Sequence, residues 1–420
     1  MKITFIAYGT RGDVQPAIAL GKALQTRGHQ VRLLASPNFR AWIEGHGLEV
    51  WPAKVDVQAV MNSEGGRDWV QQGNNPLREL QLMRRLLRQH GLEMALDAWE
   101  ACQDTEVIIS QFTSVVYAIS IARKLNLPHV CMLLQPTLLA TRDGRAMINA
   151  PAPNRPSWIN AALGRLIMEP AAWTLYGDIT NRFRRDTLGL PPMNTRSFVR
   201  EFKRTSIVLG YSRHVVPHPD DWPPNLHTTG YWFLDEARNW QPPSALTQFL
   251  EAGEPPVYIG FGSMTGRDVE GLTQLMLEAI RLSGRRVILL AGWAGLGRME
   301  LPDSILRLDS APHDWLFPRV ALAIHHGGAG TAASAFRAGV PQIVVPHMAD
   351  QPFWGGRVAA LGVGPKPIPR PRLSPQRLAA AIREAASPEM KRRAADLGRQ
   401  IREEDGVGAA VEFIHKHLGA

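Results

Sequence analysis

One loop in the second half of the sequence has the residue types of a phosphate site. The sequence HHGGAGT, which contains His326, Gly328, Gly330 and Thr331, follows an apolar run typical of a buried strand and opens a helical stretch. Glycines let the backbone N–H groups of a helix N-terminus approach an anion closely, so such a loop can bind phosphate without a metal. The imidazole and the hydroxyl can add hydrogen bonds to phosphate oxygens. The alternative is a glycine-rich turn with core histidines.

Two further loops in this half carry polar side chains directly after apolar runs. Asp350 and Gln351 follow one run and offer groups that accept from, or donate to, sugar hydroxyls. Ser263 follows another run, in GFGSM. As isolated residues they are weak evidence, because polar loop residues are usually solvated. The carboxyl ends of parallel strands meet at one edge of a sheet, so we expect these polar residues to lie near the phosphate loop. Together with that loop they predict a site for a sugar diphosphate.

A glycine-rich loop with a carboxylate follows the first apolar run of the chain. Gly9, Gly12 and Asp13 precede a helical stretch that contains Pro16 and runs to about Arg27. The spacing is not G-x-G-x-x-G, so the dinucleotide-binding fingerprint is absent. Asp13 has two interpretations, which are not exclusive. It caps the helix by accepting backbone N–H groups, or it acts as a general base at the carboxyl end of the first strand.

The elements that would position these residues follow from apolar runs that alternate with helical stretches, the pattern of parallel sheets with crossover helices. Strands are expected near 2–8, 30–35, 106–110, 129–134, 206–210, 256–261, 286–291, 304–309, 320–325 and 342–346. Between the two halves, 235–246 loses periodicity and carries two prolines. The sequence therefore predicts an α/β fold with a first domain at 1–235, a linker at 236–246 and a second domain at 247–420.

Composition indicates a globular protein of more than one core. The chain has 420 residues, whereas single cores stop growing at roughly 250 to 300 residues. Its two cysteines, Cys102 and Cys131, have no partners at metal-ligand spacing, so neither a zinc site nor a disulfide framework is expected. The first residues form a strand pattern rather than a signal peptide. These features favour the cytoplasm.

The net charge of +9 bears on the partners of the chain. No recognised nucleic-acid module and no aromatic residues interleaved with a basic stripe are present, so no nucleic-acid partner is expected. No apolar run approaches about 20 residues, so membrane contact would be peripheral. The stretch 77–96 has apolar residues at helical spacing together with several arginines. It is either a basic amphipathic helix for an anionic membrane or a surface helix that buries one face in its own domain.

Six motifs resemble one large family when they are taken in order along the chain. They are GTRGDVQP, FGSM, APHDWLFP, HHGGAGT, GVPQIVVP and DQPFWGGRV. The family is that of the nucleotide-sugar glycosyltransferases, which includes sterol glucosyltransferases, glycopeptide-antibiotic glycosyltransferases and rhamnolipid rhamnosyltransferases. The resemblance implies a GT-B fold, in which two facing Rossmann-like domains have parallel sheets and the second domain holds most of the donor. The middle of the first domain, 55–230, lacks these motifs, so the acceptor stays open.

The resemblance also implies roles for individual residues. The donor-binding residues would be Gly12, Ser263, His313, His326, Gly328, Gly330, Thr331, Asp350 and Gln351. Of these, Asp350 and Gln351 would bind the hexose and His313 would lie near the ribose. Ser310 stands where plant members have a tryptophan on the uracil, and Trp293 is a candidate to replace that stack.

The resemblance implies a reaction as well. Asp13 matches the aspartate of the sterol and antibiotic subfamilies and would act as the general base. The expected activity is an inverting, metal-independent transfer of a hexose, with UDP-glucose as co-substrate and no cofactor, to a hydroxyl of a lipophilic acceptor such as a sterol, lipid or secondary metabolite. Two alternatives stay open. One is a transferase for a TDP-deoxysugar such as rhamnose, and the other is a catalytically silent partner that only binds a sugar nucleotide.

Overall fold

The computed structural model describes residues 1–72, 76–136, 138–262, 269–291 and 301–418, so Ser263 and Trp293 lie outside the described residues. The strands are β1 (Lys2–Ile6), β2 (Gln30–Ala35), β3 (Glu49–Pro52), β4 (Val107–Ser110), β5 (His129–Leu133), β6 (Ser206–Leu209), β7 (Leu226–Thr228), β8 (Val257–Gly260), β9 (Val287–Leu290), β10 (Ile305–Leu308), β11 (Leu322–His325) and β12 (Gln342–Val344). All ten predicted strands are confirmed. The prediction lacked β3 and β7.

Helices separate most of the strands. They are α1 (Arg11–Thr26), α2 (Arg40–Gly45), α3 (Val57–Asn62), α4 (Glu64–Gln72), α5 (Pro76–Ala101), α6 (Val115–Leu125), α7 (Trp158–Leu163), α8 (Glu169–Asp186), α9 (Thr195–Arg204), α10 (Ser244–Glu251), α11 (Val269–Ser283), α12 (His313–Leu316), α13 (Ala329–Ala338), α14 (Gln351–Ala360), α15 (Pro375–Ala385), α16 (Pro388–Arg402) and α17 (Gly406–Leu418). A π-helical turn at Gly164–Met168 joins α7 to α8. None of the described helices has both the length and the apolar character that crossing a bilayer requires.

The strands form two parallel sheets, which confirms the α/β fold class. One sheet has the order β3-β2-β1-β4-β5-β6-β7 and the other the order β10-β9-β8-β11-β12. Parallel strands bury both faces, and β1 illustrates this because Ile3, Phe5 and Ile6 are fully buried. In each sheet the order reverses once, between β1 and β4 and between β8 and β11. Ligands bind outside the carboxyl ends of strands at such a reversal, which is called the topological switch point.

The chain divides into two compact units, and their limits differ from the predicted domains. The first unit contains 1–66, 80–234 and 404–420, and the second contains 67–79 and 235–403. The predicted linker 236–246 belongs to the second unit, because the Asp314 carboxylate accepts the N–H groups of Glu236 and Ala237 at 3.0 and 2.8 Å.

The end of the chain also departs from the prediction, which assigned everything from 247 to 420 to the second domain. Helix α17 packs on α1 in the first unit. A ring nitrogen of His415 lies 2.7 Å from one of His29, and the Phe413 ring stacks on His227 at a centroid distance of 5.3 Å. Helical patterning alone does not reveal which core a terminal helix covers.

Helix α5 contains the stretch that had two interpretations. Leu82, Met94 and Ala95 are buried, whereas Arg85 and Arg88 are exposed. Helix α5 therefore has one buried apolar face and exposed arginines outside it.

Candidate functional site

The loop between β11 and α13 lies at the switch point of the second sheet. His325 fixes its shape, because one ring nitrogen accepts the N–H of Gly327 at 3.0 Å and the other contacts the Gln342 amide oxygen at 2.9 Å. These partners require a neutral imidazole whose Nε2 carries the proton. Gly327 has φ of 91°, and a side chain there would meet Val344 at 2.6 Å. His325 is therefore the core histidine of the pair and shapes the loop.

His326 lies between two glycine backbones. A Cβ atom at Gly262 would come within 3.2 Å of its Cε1 atom, and one at Gly328 within 2.5 Å of its Nε2 atom. The side chain is 9% exposed, and its Nδ1 atom has no hydrogen-bond partner among the described residues. Burial, reinforced by the neighbouring His325, His347 and His313, holds the pKa of His326 well below its usual range. The imidazole is therefore neutral and offers one N–H donor.

The remaining residues of the predicted phosphate loop lie at the start of α13. Gly328 is the N-cap residue, Gly330 is exposed and Thr331 is half-buried in the first turn. The first N–H groups of a helix have no intrahelical acceptor and carry partial positive charge. The structure thus places a helix N-terminus, a hydroxyl and a neutral histidine together, which is an arrangement that can bind a diphosphate.

His313 joins this cluster from the start of α12. Its ring stacks on Phe317 at a centroid distance of 4.4 Å, and one ring nitrogen lies 3.1 Å from the Tyr258 hydroxyl. The Tyr258 hydroxyl in turn packs on Gly260, where a Cβ atom would lie 2.2 Å from it. These contacts fix the imidazole next to the β8 carboxyl end.

His347 is a fourth histidine near the loop, and the sequence analysis gave it no role. It is 1% exposed and its ring stacks on Phe261 at a centroid distance of 5.6 Å. Neither ring nitrogen has a hydrogen-bond partner among the described residues. Burial, with a smaller effect of Arg370, lowers the pKa of His347 to about 3. Its position just after β12, the strand beside β11, was the signal that could have identified it.

The loop after β12 presents the two predicted hexose ligands in different ways. Asp350 accepts the indole N–H of Trp354 at 2.7 Å, and burial raises its pKa. The Gln351 amide oxygen accepts the N–H groups of His347 and Met348 at 2.7 and 3.1 Å. The acceptor atom of Gln351 therefore holds the loop itself, and a contact of Gln351 with the hexose stays a prediction.

A segment from the first half of the sequence supports the same loop. Ala349 has φ of 55°, which is uncommon for a residue with a side chain. Its N–H group donates to the Glu79 carboxylate at 2.8 Å, and the Trp69 indole donates to the same oxygen at 3.2 Å. Burial raises the pKa of Glu79. Neither Trp69 nor Glu79 was predicted from the sequence.

In the first unit, Asp13 lies at the switch point between β1 and β4. Its Oδ2 atom accepts the backbone N–H of Thr10 at 2.8 Å. Thr10 is the N-cap of α1, so Asp13 is the third helical residue of a capping box and not the N-cap itself. A Cβ atom at Gly9 would lie 2.2 Å from the Asp13 carboxylate, which explains why a glycine stands at this position. Gly12 is exposed, and a Cβ atom there would meet only the Thr10 hydroxyl, at 3.7 Å.

Gln111 is a further residue that the sequence analysis missed. It follows β4, and its side-chain N–H donates to the main-chain carbonyl oxygen of Asp13 at 2.8 Å. The side chain is 4% exposed, and its amide oxygen has no partner among the described residues. Gln111 therefore ties the carboxyl end of β4 to the first turn of α1.

Among the described residues, no three His, Cys, Asp or Glu side chains are grouped closely enough to hold a metal ion. Metal independence stays a prediction.

Two doubly wound parallel sheets, with polar residues at their switch points, are the arrangement of the GT-B fold. The glycosyltransferase of kitacinnamycin has this fold, with a TM-score of 0.73, 19% identity and 99% coverage of both chains. Glycosyltransferase VinC, solved in complex with DTDP, has a TM-score of 0.65 at 19% identity and 100% coverage of both chains. At such identities the similarity concerns the fold.

Sequence comparison identifies the family. The glycosyltransferase family 28 N-terminal domain matches residues 3–126, and the erythromycin biosynthesis protein CIII-like C-terminal domain matches 273–406. Two sterol 3-beta-glucosyltransferases of Arabidopsis thaliana, UGT80A2 and UGT80B1, are 34% and 33% identical over 100% of this chain. The chain belongs to the family of nucleotide-sugar glycosyltransferases that includes these enzymes.

The relatives are longer than this chain. It spans 66% and 68% of the two Arabidopsis proteins. It spans 30% of the sterol 3-beta-glucosyltransferase of Neosartorya fischeri, to which it is 35% identical.

Proposed function

We propose that the chain transfers a hexose from a nucleoside diphosphate to a hydroxyl group of a lipophilic acceptor, with inversion and without a metal ion. The observation that carries this proposal is the loop between β11 and α13. There the neutral, buried His326 lies beside the N-terminus of α13, which is an environment suited to a diphosphate. The whole-chain similarity to sterol 3-beta-glucosyltransferases supports glucose as the sugar and a sterol-like alcohol as the acceptor.

The leaving diphosphate gains negative charge as the bond to the anomeric carbon breaks. The N–H groups at the start of α13, the Thr331 hydroxyl and the N–H of His326 can stabilise that charge. A neutral imidazole suits this role because it needs no counter-ion before the donor binds. Preorganised donors of this kind supply what a divalent metal supplies in other transferases.

Asp13 would remove the proton of the acceptor hydroxyl as its oxygen attacks the anomeric carbon from the face opposite the nucleotide. One new C–O bond forms while the bond to the diphosphate breaks, so the configuration inverts. The Thr10 N–H holds the carboxylate in one orientation, which supports its use as a positioned base.

A panel of donors and acceptors tests this function by mass spectrometry of the products. We expect a glucoside from UDP-glucose and a sterol or other apolar alcohol. Product from TDP-rhamnose alone would favour the deoxysugar alternative. VinC, which has the same fold, was solved with the nucleotide DTDP. Calorimetric binding of UDP-glucose without any product across the acceptor panel would favour the silent partner.

A further inference from the structure

Exposed apolar side chains are concentrated in one short segment of the first unit. Among the described residues, the large hydrophobic side chains that are clearly exposed are Met1, Trp158, Ile159, Leu166, Ile167 and Leu282. Four of them lie between 158 and 167, and we call this group the 158–167 patch. Trp158 and Leu166 are each 72% exposed and Ile167 is 56% exposed. An apolar cluster of this kind on a protein surface usually marks an interaction site.

The fold holds this patch toward solvent. Asn160, on the opposite face of α7, is fully buried, and its side chain donates to the carbonyl oxygens of Arg142 and Ala152 at 2.9 and 3.1 Å. A Cβ atom at Gly164 would lie 2.8 Å from the side chain of Ala140, so the helix backbone packs closely at that point. The exposure of the patch therefore results from a fixed helix orientation and not from a frayed end.

The π-helical turn adds to the exposed surface. Residues 165, 166 and 167 are consecutive and all three are exposed. The turn thus presents Arg165 together with Leu166 and Ile167, about two helical turns after Trp158.

The segment that carries the patch contributes exposed positive charge. Residues 144–168 contain no Asp or Glu and three arginines, of which Arg155 and Arg165 are exposed. Arg145 is paired with Asp143 at 2.6 Å. The next acidic residue, Glu169, is 7% exposed and accepts from Lys203 at 2.9 Å and from the Ala140 N–H at 3.2 Å. No carboxylate of this segment therefore faces the surface that the patch presents.

We propose that the 158–167 patch docks the protein on an anionic lipid bilayer. Leucine and isoleucine would enter the boundary between headgroups and acyl chains, and tryptophan, which is amphipathic, suits the same depth. Arginine extends its guanidinium to lipid phosphate while its aliphatic part stays among the apolar side chains. The patch shares no residue with the predicted donor site or with helix α5, and the proposal does not depend on the transfer reaction.

Vesicle co-sedimentation of the full chain tests the proposal, with vesicles of phosphatidylcholine alone and of phosphatidylcholine mixed with phosphatidylserine. We expect the parent to bind the mixed vesicles, and the double variant Leu166→Ser/Ile167→Ser to bind them at least about tenfold more weakly, because two aliphatic side chains no longer enter the bilayer. Arg165→Glu should weaken binding to the mixed vesicles and leave any binding to neutral vesicles unchanged. The matched control is Leu282→Ser, because Leu282 is an exposed leucine of α11 in the second unit. It should bind like the parent.

Three results would overturn the proposal. The parent could fail to bind either vesicle, or Leu282→Ser could weaken binding as much as the double variant. Sedimentation velocity could instead show a dimer that the double variant abolishes, in which case the patch is an interface between two copies of the chain. Circular dichroism of each variant checks that the fold is kept, which is expected because the substituted side chains are exposed.

Discussion

The side-chain N–H of Gln111 donates to the main-chain carbonyl oxygen of Asp13 across 98 positions of the sequence. This bond joins the two loops that flank the switch point of the first sheet. The Thr10 N–H orients the Asp13 carboxylate, and Gln111 orients the main chain of Asp13 through its carbonyl oxygen. Gln111 is therefore a positioning residue for the proposed base.

Gln111→Leu should lower kcat about tenfold and leave the affinity for the sugar nucleotide unchanged. The substitution removes one buried hydrogen bond, so unfolding should become easier by about 1 kcal/mol. Gln15→Leu is the matched control, because Gln15 donates to the Leu234 carbonyl oxygen at 3.3 Å in the same unit. Equal losses of kcat in both variants would show that Gln111 acts only through stability.

His347→Phe should flatten the pH dependence of the free energy of unfolding and make the variant increasingly more stable than the parent as pH falls below about 6.5. A histidine with a pKa of about 3 in the folded state and about 6.5 when unfolded binds protons preferentially in the unfolded state between these values. The contribution of the buried neutral His347 to the free energy of unfolding is therefore complete above pH 6.5. It is lost as pH falls toward 3, by about 1.4 kcal/mol per pH unit. Phenylalanine does not titrate and can keep the stack on Phe261.

Thermal unfolding of parent and variant at pH 7 and pH 5 measures this difference. We expect the midpoint of the parent to fall more between the two pH values than that of His347→Phe. An equal fall of the unfolding midpoint in parent and variant would contradict the burial of a neutral imidazole at position 347.

How far the sequence predicts the fold can be judged from the strands. The ten predicted strands are mainly apolar runs, as expected when both faces of a parallel sheet are covered. The two missed strands, β3 and β7, are the outer strands of the first sheet. β3 is short and only partly buried, and β7 has three residues, so neither produces a long apolar run.

Site residues that directly follow a strand could be predicted from the sequence. Residues that reach the site through contacts with distant parts of the chain could not. Asp13 and His326 each follow a strand at a switch point, and strand order alone makes such positions candidates. Glu79 supports the loop of Ala349 from 270 positions away. No local pattern encodes that contact, so only the folded chain reveals it.

Transfer activity should persist undiminished in excess EDTA. The proposed diphosphate site uses N–H groups, the Thr331 hydroxyl and the neutral His326, none of which needs a metal. The assay compares the protein before and after EDTA treatment, with magnesium or manganese added back. Loss of activity that either ion restores would overturn the metal-independent mechanism.

His326→Ala should weaken donor binding and lower kcat about 10²-fold, because a donor to the developing charge is lost. His326→Gln can keep an N–H donor and should recover part of kcat. Calorimetric titration with the sugar nucleotide and a product assay measure the two effects separately. Parent-like kinetics of the alanine variant would return His326 to the role of a core histidine.

Asp13→Asn separates the two interpretations of this carboxylate. The asparagine oxygen can still accept the Thr10 N–H, so the fold, the stability and the donor affinity should be kept. The amide cannot take up the acceptor's proton, so kcat should fall by about 10² or more. Turnover within a fewfold of the parent would contradict the role of Asp13 as the base. The base would then be sought among the histidines of the first unit, such as His90 or His129.

His129 is the weaker of these two candidates, because it begins β5 and burial lowers its pKa to about 3. It lies at the amino end of its strand, whereas Asp13 follows the carboxyl end of β1, where ligands of doubly wound sheets bind.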